Sequence, residues 1–217
     1  MSMIDIIPSI LVRSKQEFLA QLEGLDHSVP HLQLDIADGK LVPNTTWAEP
    51  GVVQQAASYT FELHLMVESP LEVIAEWKDI SNVKRFIIHV ESVDSLTNTI
   101  LHIRTSEKFK REIFVALNPE TSLEKIKTAK DVIDGVLFMG VTPGFQGQKL
   151  IPHVLKKIVQ CRTQYPDIYT ELDGGVHEDT LVEIAQTGVH AICPGSLVFH
   201  RENTPYEQIL FIQKSLV

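Results

Sequence analysis

Glu171-Leu172-Asp173-Gly174-Gly175-Val176, followed by Cys193-Pro194-Gly195-Ser196, is the stretch on which the fold turns. A hydrophobic strand ending in a carboxylate, then a glycine pair, then a second strand ending in Gly-Ser is how the last two loops of a (β/α)8 barrel hold a phosphate. Glycines let backbone N–H groups approach an anion closely, and the helix that follows presents its positive end. Asp173 then points at whatever the phosphate anchors. One segment therefore suggests a fold, a phosphorylated substrate and a candidate acid/base.

The rest of the chain alternates in the same way. Short apolar runs rich in Ile, Val and Leu occupy 4–11, 31–36, 61–66, 85–90, 112–117, 132–139, 168–172 and 190–193. Segments with helical spacing lie between them, at 15–22, 71–77, 96–103, 152–164 and 180–186, and a last helix is expected over 205–216 to close the barrel. Strands that read as continuous apolar runs are buried on both faces, which suits a parallel sheet covered by helices. Eight such runs predict a closed α/β barrel, a (β/α)8 TIM barrel, with an open doubly wound sheet as the alternative. Ser14 with Glu17, Thr121-Ser122 with Glu124, and Pro152 mark helix starts. No Pro/Ser/Gly linker divides the chain, so 1–217 is read as one domain.

With 217 residues the chain is long enough for one small barrel, and 44% hydrophobic with 22% charged residues is an ordinary core-forming composition. A net charge of -9 argues against a nucleic-acid surface, which needs a basic face. Cys161 and Cys193 are too few for a disulfide framework. With no basic N-terminal targeting region and no apolar run of membrane length, a cytoplasmic protein without a membrane partner is expected.

Catalytic groups of a barrel gather at the C-terminal strand ends. There the chain carries Ser9, Gln33 and Asp35, His64 and Met66, His89 and Glu91, Asn118, Met139, Asp173 and Ser196. Each alone has an ordinary reading: a satisfied structural histidine, a turn-forming aspartate, a core methionine. Asp38-Gly39 is read as such a turn, and His27, His31, His153, His177 and His200 as surface residues of loops or helices. Two carboxylates and two histidines converging on one mouth are different. Burying uncompensated polar groups costs several kcal/mol, so a barrel keeps them where they bind something.

Together with Pro8-Ser9-Ile10-Leu11, Asp35-x-x-Asp38-Gly39-x-x-Val42-Pro43-Asn44, His64-Leu65-Met66, Leu117-Asn118-Pro119, Thr142-Pro143-Gly144-Phe145-x-Gly147-Gln148-Lys149 and the two stretches quoted first, the sequence resembles the ribulose-phosphate 3-epimerases, which include related allulose-phosphate epimerases. The resemblance runs over nearly the whole chain. It implies a barrel of the ribulose-phosphate-binding type and an isomerase of the pentose phosphate pathway. It also implies epimerisation at C3 of a ketose phosphate through a metal-stabilised enediolate, with Asp35 and Asp173 as the paired acid and base. A divalent ion, zinc by resemblance, would be held by Asp35, His64, Asp173 and the residue at position 33. Met66 and Met139 would exclude water from the reacting carbon. Ser9, Gly144, Gln146, Gly147, Gly174, Gly175, Gly195 and Ser196 would hold the phosphate. A homo-oligomer is implied as well.

The chain departs from the family at Gln33, where a histidine ligand is usual, at Ala37, where a third methionine is usual, and at Gln146, where a phosphate-loop glycine is usual; Gly140 and Thr142 also differ from the commonest residues. An amide oxygen is a harder and weaker ligand than imidazole, so zinc affinity is expected to fall and preference to drift toward manganese, iron or magnesium. Two alternatives stand beside the epimerase: another phosphosugar enzyme on the same barrel, and a non-catalytic sugar-phosphate binder. The sister decarboxylases and aldolases use an Asp-x-Lys-x-x-Asp motif, and 33–38 contains no lysine. Cys193 beside the phosphate loop lacks a base partner and carries little weight as a nucleophile.

Overall fold

The computed structural model describes residues 3–25, 28–106, 109–199 and 202–216; His27 and His200 lie outside them. In chain order the elements are β1 (Asp5–Ile6), β2 (Ser9–Ile10), α1 (Lys15–Leu25), β3 (His31–Ala37), α2 (Pro50–Gln55), β4 (Thr60–Met66), α3 (Pro70–Trp77), β5 (Val83–His89), α4 (Leu96–Ser106), β6 (Glu112–Leu117), β7 (Gly135–Met139), α5 (His153–Gln164), β8 (Tyr169–Asp173), α6 (Leu181–Gln186), β9 (Ala191–Cys193), α7 (Ser196–Phe199) and α8 (Pro205–Ser215). All ladders are parallel, in the order β1-β9-β8-β7-β6-β5-β4-β3-β2.

β1 and β2 are two halves of one stave, interrupted where Pro8 has no N–H to give to a ladder. The break is bridged on both sides. Ile7 and Ser9 donate to the carbonyls of Ile192 and Pro194 at 2.9 and 3.2 Å, and the Pro8 carbonyl accepts from Gln33 N at 3.0 Å. The sheet therefore closes on itself as an eight-stave (β/α)8 barrel. The expected run 132–139 begins as a strand only at Gly135, because Asp134 takes the Ile113 N–H on its own carboxylate at 2.7 Å and turns the chain. The helix expected after β6 is a single 3-10 turn, Leu123–Ile126, capped by Ser122. Ser14 accepts from Glu17 N at the start of α1. A capping box of Thr204 and Glu207 starts α8, which packs against α1, α6 and α7.

Side chains alternate across each stave. Leu34, Leu63, Leu65, Phe86, Ile88, Val115, Phe138, Leu172 and Ile192 join Phe18, Trp77, Ile158 and Ile209 of the helices in the outer core. Inside, Ile7, Ile87, Phe114, Ala116, Leu137, Met139, Ala191 and Cys193 form a smaller cluster. Much of the interior is polar. Arg85 Nη1 donates to Glu62 at 2.6 Å and to Glu171, its Nη2 reaches Glu112 at 2.7 Å, and its guanidinium lies 3.8 Å above the Phe114 ring. His31 does not behave as a loose surface residue: it begins β3 and binds Glu62 at 3.2 Å. Burial, with Glu62 beside it, holds the Glu171 carboxyl well above the usual range. Glu62, Glu171 and Cys193 could in principle surround a cation, but Arg85 already supplies that charge.

Candidate active site at the C-terminal mouth

The barrel register delivers the site. Asp35 lies opposite His64 in the β3–β4 ladder, and Met139 opposite Asp173 in the β7–β8 ladder. Gln33, Asp35, His64, Met66, Met139 and Asp173 are all buried. Gln33 Nε2 donates to Asp35 Oδ1 and to Asp173 Oδ2, both at 3.0 Å. His64 Nδ1 meets the same two oxygens at 3.0 and 3.2 Å. One amide and one imidazole thus hold two carboxylates from β3 and β8, and the Gln33–Asp173 bond joins positions 140 residues apart.

The electrostatics follow from this crowding. Burial opposes a charge on His64, but the hydrogen bonds and charges of Asp173 and Asp35 outweigh it and lift the imidazole to about 10. Burial, aided by the charge of Asp173 and opposed by His64, raises Asp35 to about 6. Two carboxylates around one imidazolium leave an excess negative charge, and the side-chain oxygen of Gln33 is buried without a partner among the described residues. Asp35, His64 and Asp173 bring one ligand atom each within 4.8 Å of one another. These donors, with the orphaned amide oxygen, fit a divalent cation.

Behind His64, its Nε2 sits 2.9 Å from His89 Nε2, with the ring centroids 5.1 Å apart and the planes 19° apart, so that the two rings meet edge to edge. His89 Nδ1 faces Glu91 Oε2 at 3.4 Å. Burial keeps His89 below the ordinary histidine value. Glu91 sits in a 3-10 turn directly after β5, and its Oε1 accepts from Asn118 N at 3.2 Å and from the Thr121 hydroxyl. Burial alone would raise the Glu91 carboxyl; the hydrogen bonds from His89 and Thr121 bring it to about 2.

The glycine-rich end lies beside the carboxylates. Ser9, Met66, Met139, Gly144, Gln146, Gly147, Gly174, Gly175, Gly195 and Ser196 line one pocket together with Asp35 and Asp173. Gly175 has φ +71, and a Cβ there would fall 2.5 Å from Leu150 Cα, so only glycine fits that turn. Asn44 donates to the Gly144 carbonyl at 2.7 Å, and Gln148 ties the Thr142 and Phe145 carbonyls together at 2.7 and 2.8 Å. The Gln146 side chain does something the sequence did not suggest. Its amide donates to Ser9 O and Ser9 Oγ at 3.0 and 3.2 Å and lies against Gly195, where a Cβ would come 2.2 Å from Nε2. The volume left between these groups is about 30 Å³, enough for a water or two. Cys193 lines the pocket, but burial and the nearby carboxylates push its thiol well up, which keeps it protonated. Asp38 is the expected turn former, accepting the N–H groups of Lys40 and Glu68 at 2.9 Å each.

Comparison with known proteins gives a consistent result. The profile described as "Ribulose-phosphate 3 epimerase family" matches residues 5–199. The chain is 32% identical to "Ribulose-phosphate 3-epimerase, cytoplasmic isoform" of Oryza sativa subsp. japonica, covering 97% of this chain and 93% of that protein. It is 30% identical to "Ribulose-phosphate 3-epimerase" of Bacillus subtilis, covering 91% and 93%. Among solved structures it is similar in fold to 3-hexulose-6-phosphate synthase from Salmonella typhimurium, with a TM-score of 0.69 at 12% identity over 98% of both chains. Orotidine 5'-phosphate decarboxylase from Pyrococcus horikoshii gives 0.68 at 11% identity over 97% and 98%.

Proposed function

The chain belongs to the ribulose-phosphate 3-epimerase family, and we propose that it interconverts D-ribulose 5-phosphate and D-xylulose 5-phosphate by passing the C3 proton between Asp35 and Asp173. The observation that carries this reading is the shared grip of Gln33 and His64 on both carboxylates, next to a pocket lined with glycines.

One aspartate removes the C3 proton and the other delivers a proton to the opposite face, giving the epimer. Asp35, raised to about 6, remains ionised at neutral pH and is a stronger base than an ordinary carboxylate. Met66 and Met139 bring apolar surface to the reacting carbon and keep water from competing for the proton. Asp35, His64, Asp173 and the Gln33 amide oxygen would hold the divalent ion. When bound, that ion supplies the positive charge that stabilises oxygen charge developing as the proton leaves. Backbone donors of the glycine loops and the Ser9 hydroxyl would hold the phosphate once the Gln146 amide swings away from them.

Residues 1–217 are taken as one barrel domain, acting in the cytoplasm as a homo-oligomer. Both thiols are free and buried, which suits a reducing compartment, and no described helix is long and apolar enough to cross a membrane. The test is solvent deuterium incorporation at C3 of D-ribulose 5-phosphate, followed by NMR with metal-stripped protein reloaded with zinc, manganese or iron. Exchange accompanied by xylulose 5-phosphate is expected. Sugar-phosphate binding without exchange under any metal would overturn the proposal and favour a non-catalytic binder.

A further inference from the structure

Two imidazoles that meet nitrogen to nitrogen at 2.9 Å need one donor and one acceptor, and which is which decides what the far side of His64 offers. If His89 donates, His64 accepts on Nε2, and a neutral His64 carries its proton on Nδ1, toward Asp35 and Asp173. If His64 donates, a neutral His64 turns a lone pair toward those carboxylates. Only the second arrangement leaves Nδ1 able to ligate an ion.

The surroundings of Glu91 select the direction. Its Oε1 is taken by two donors, Asn118 N and the Thr121 hydroxyl, which leaves Oε2 to face His89 Nδ1 at 3.4 Å. His89 Nδ1 makes no close hydrogen bond among the described residues, so this carboxylate oxygen is the charged acceptor that faces it. A carboxylate oxygen accepts and cannot donate, so the His89 proton sits on Nδ1 and its Nε2 presents a lone pair to His64. Resting on the metal site proposed above, we infer that Glu91 and His89 are positioning residues that lock His64 with its proton on Nε2 and so present Nδ1 as a ligand to the divalent ion. Neither touches the reacting atoms. The line Glu91–His89–His64 starts at the rim, where Glu91 is partly exposed, and ends on the fully buried His64.

The same geometry shows how to reverse the line without removing an atom. In Glu91→Gln the carbonyl oxygen stays with the two donors at the Oε1 position. The new NH2 group then takes the Oε2 position and donates to His89 Nδ1. His89 must carry its proton on Nε2 and donate to His64, and a proton appears on the ligating nitrogen. His89→Leu removes the acceptor, and His89→Gln supplies an amide oxygen that restores it.

Cobalt(II) is a suitable probe, measured in the full-length protein by chelator competition and by its visible absorption, alongside the unfolding midpoint of the metal-free form. The expected result is a loss of about 10- to 100-fold in cobalt affinity for Glu91→Gln and His89→Leu, with the metal-free form of each still unfolding in one cooperative step, at a lower midpoint for Glu91→Gln, which gives up the stabilising charge. His89→Gln should recover most of the loss. In the zinc-loaded parent, long-range proton–nitrogen NMR should find His64 protonated on Nε2 and ligating through Nδ1. A Glu91→Gln variant that binds cobalt like the parent, or a His64 that ligates through Nε2, would overturn the inference alone. A parent whose cobalt binding is absent, or unaffected by Asp173→Asn, would overturn the metal site and this inference with it.

Discussion

Replacing Arg85 by methionine tests whether the charges in the barrel interior hold the fold together. The guanidinium is buried at 8% exposure and faces Glu62 and Glu171, both fully buried, with Glu112 half exposed at the edge. Arg85→Met keeps most of the chain length but leaves two carboxylates facing each other with His31 and the Cys193 thiol beside Glu62. Removing one partner of a buried ion pair costs about 3–5 kcal/mol, and losing the contact over Phe114 adds roughly 0.5–2 kcal/mol. Glu171 already binds its proton more tightly than usual, so it neutralises readily and draws the first figure toward its lower end. The sum is about 4 kcal/mol, which in a chain of this size lowers the unfolding midpoint by roughly 8–16 °C. Urea unfolding followed by the fluorescence of Trp47 and Trp77 measures it. Arg85→Met combined with Glu62→Gln and Glu171→Gln removes the stranded charges and should recover more than half the loss. A single Arg85→Met variant within about 1 kcal/mol of the parent would refute the reasoning, because the carboxylates would then need no cation.

Asp173→Asn should lower turnover by at least about a hundredfold while leaving inorganic phosphate binding in place; near-parental turnover would remove its role in proton transfer. Gln33→His should raise zinc affinity by roughly tenfold or more, since imidazole replaces an amide oxygen, and an unchanged affinity would mean that position 33 does not face the ion. Gln146→Gly frees Ser9 Oγ and uncovers Gly195, so phosphate should bind about tenfold more tightly, equivalent to about 1.4 kcal/mol; weaker binding would mean that the amide is itself a phosphate donor. Glu91 is depressed from 4.5 to about 2 in the folded chain, so its contribution to stability is present above pH 4.5 and lost as pH falls toward 2. The unfolding midpoint of the parent should therefore fall more steeply between pH 4.5 and 2 than that of Glu91→Gln, and parallel curves would contradict the shift.

The strands were legible because each is a burst of β-branched and aliphatic residues, and burial on both faces makes alternation unnecessary. Pro50-Gly51 hid α2, since that pair reads as a turn and the helix has only six residues. At the mouth, the candidate residues could be named because strand ends face the site in any barrel. Their partnerships could not. Arg85 reads as the opening of an apolar run and Glu171 as the residue before Leu172, and nothing local joins two positions 86 residues apart. The Gln146 side chain escaped for a related reason: its contacts are with Ser9 and Gly195, across the pocket, while sequence spacing describes only its own loop.

The interior also imposes an order on synthesis. Gln33, Asp35, His64 and Arg85 leave the ribosome well before Glu171 and Asp173, and at about 5–20 residues per second the gap between Arg85 and Glu171 lasts roughly 4–17 s. Throughout that interval Gln33 and His64 have only Asp35 of their two carboxylates, and Arg85 lacks the fully buried Glu171. A half-made barrel that closed over them would trap unpaired polar groups at several kcal/mol each, whereas a hydrated, open sheet would not. The polar centre thus disfavours premature collapse and reserves compaction for the moment when the last two staves arrive.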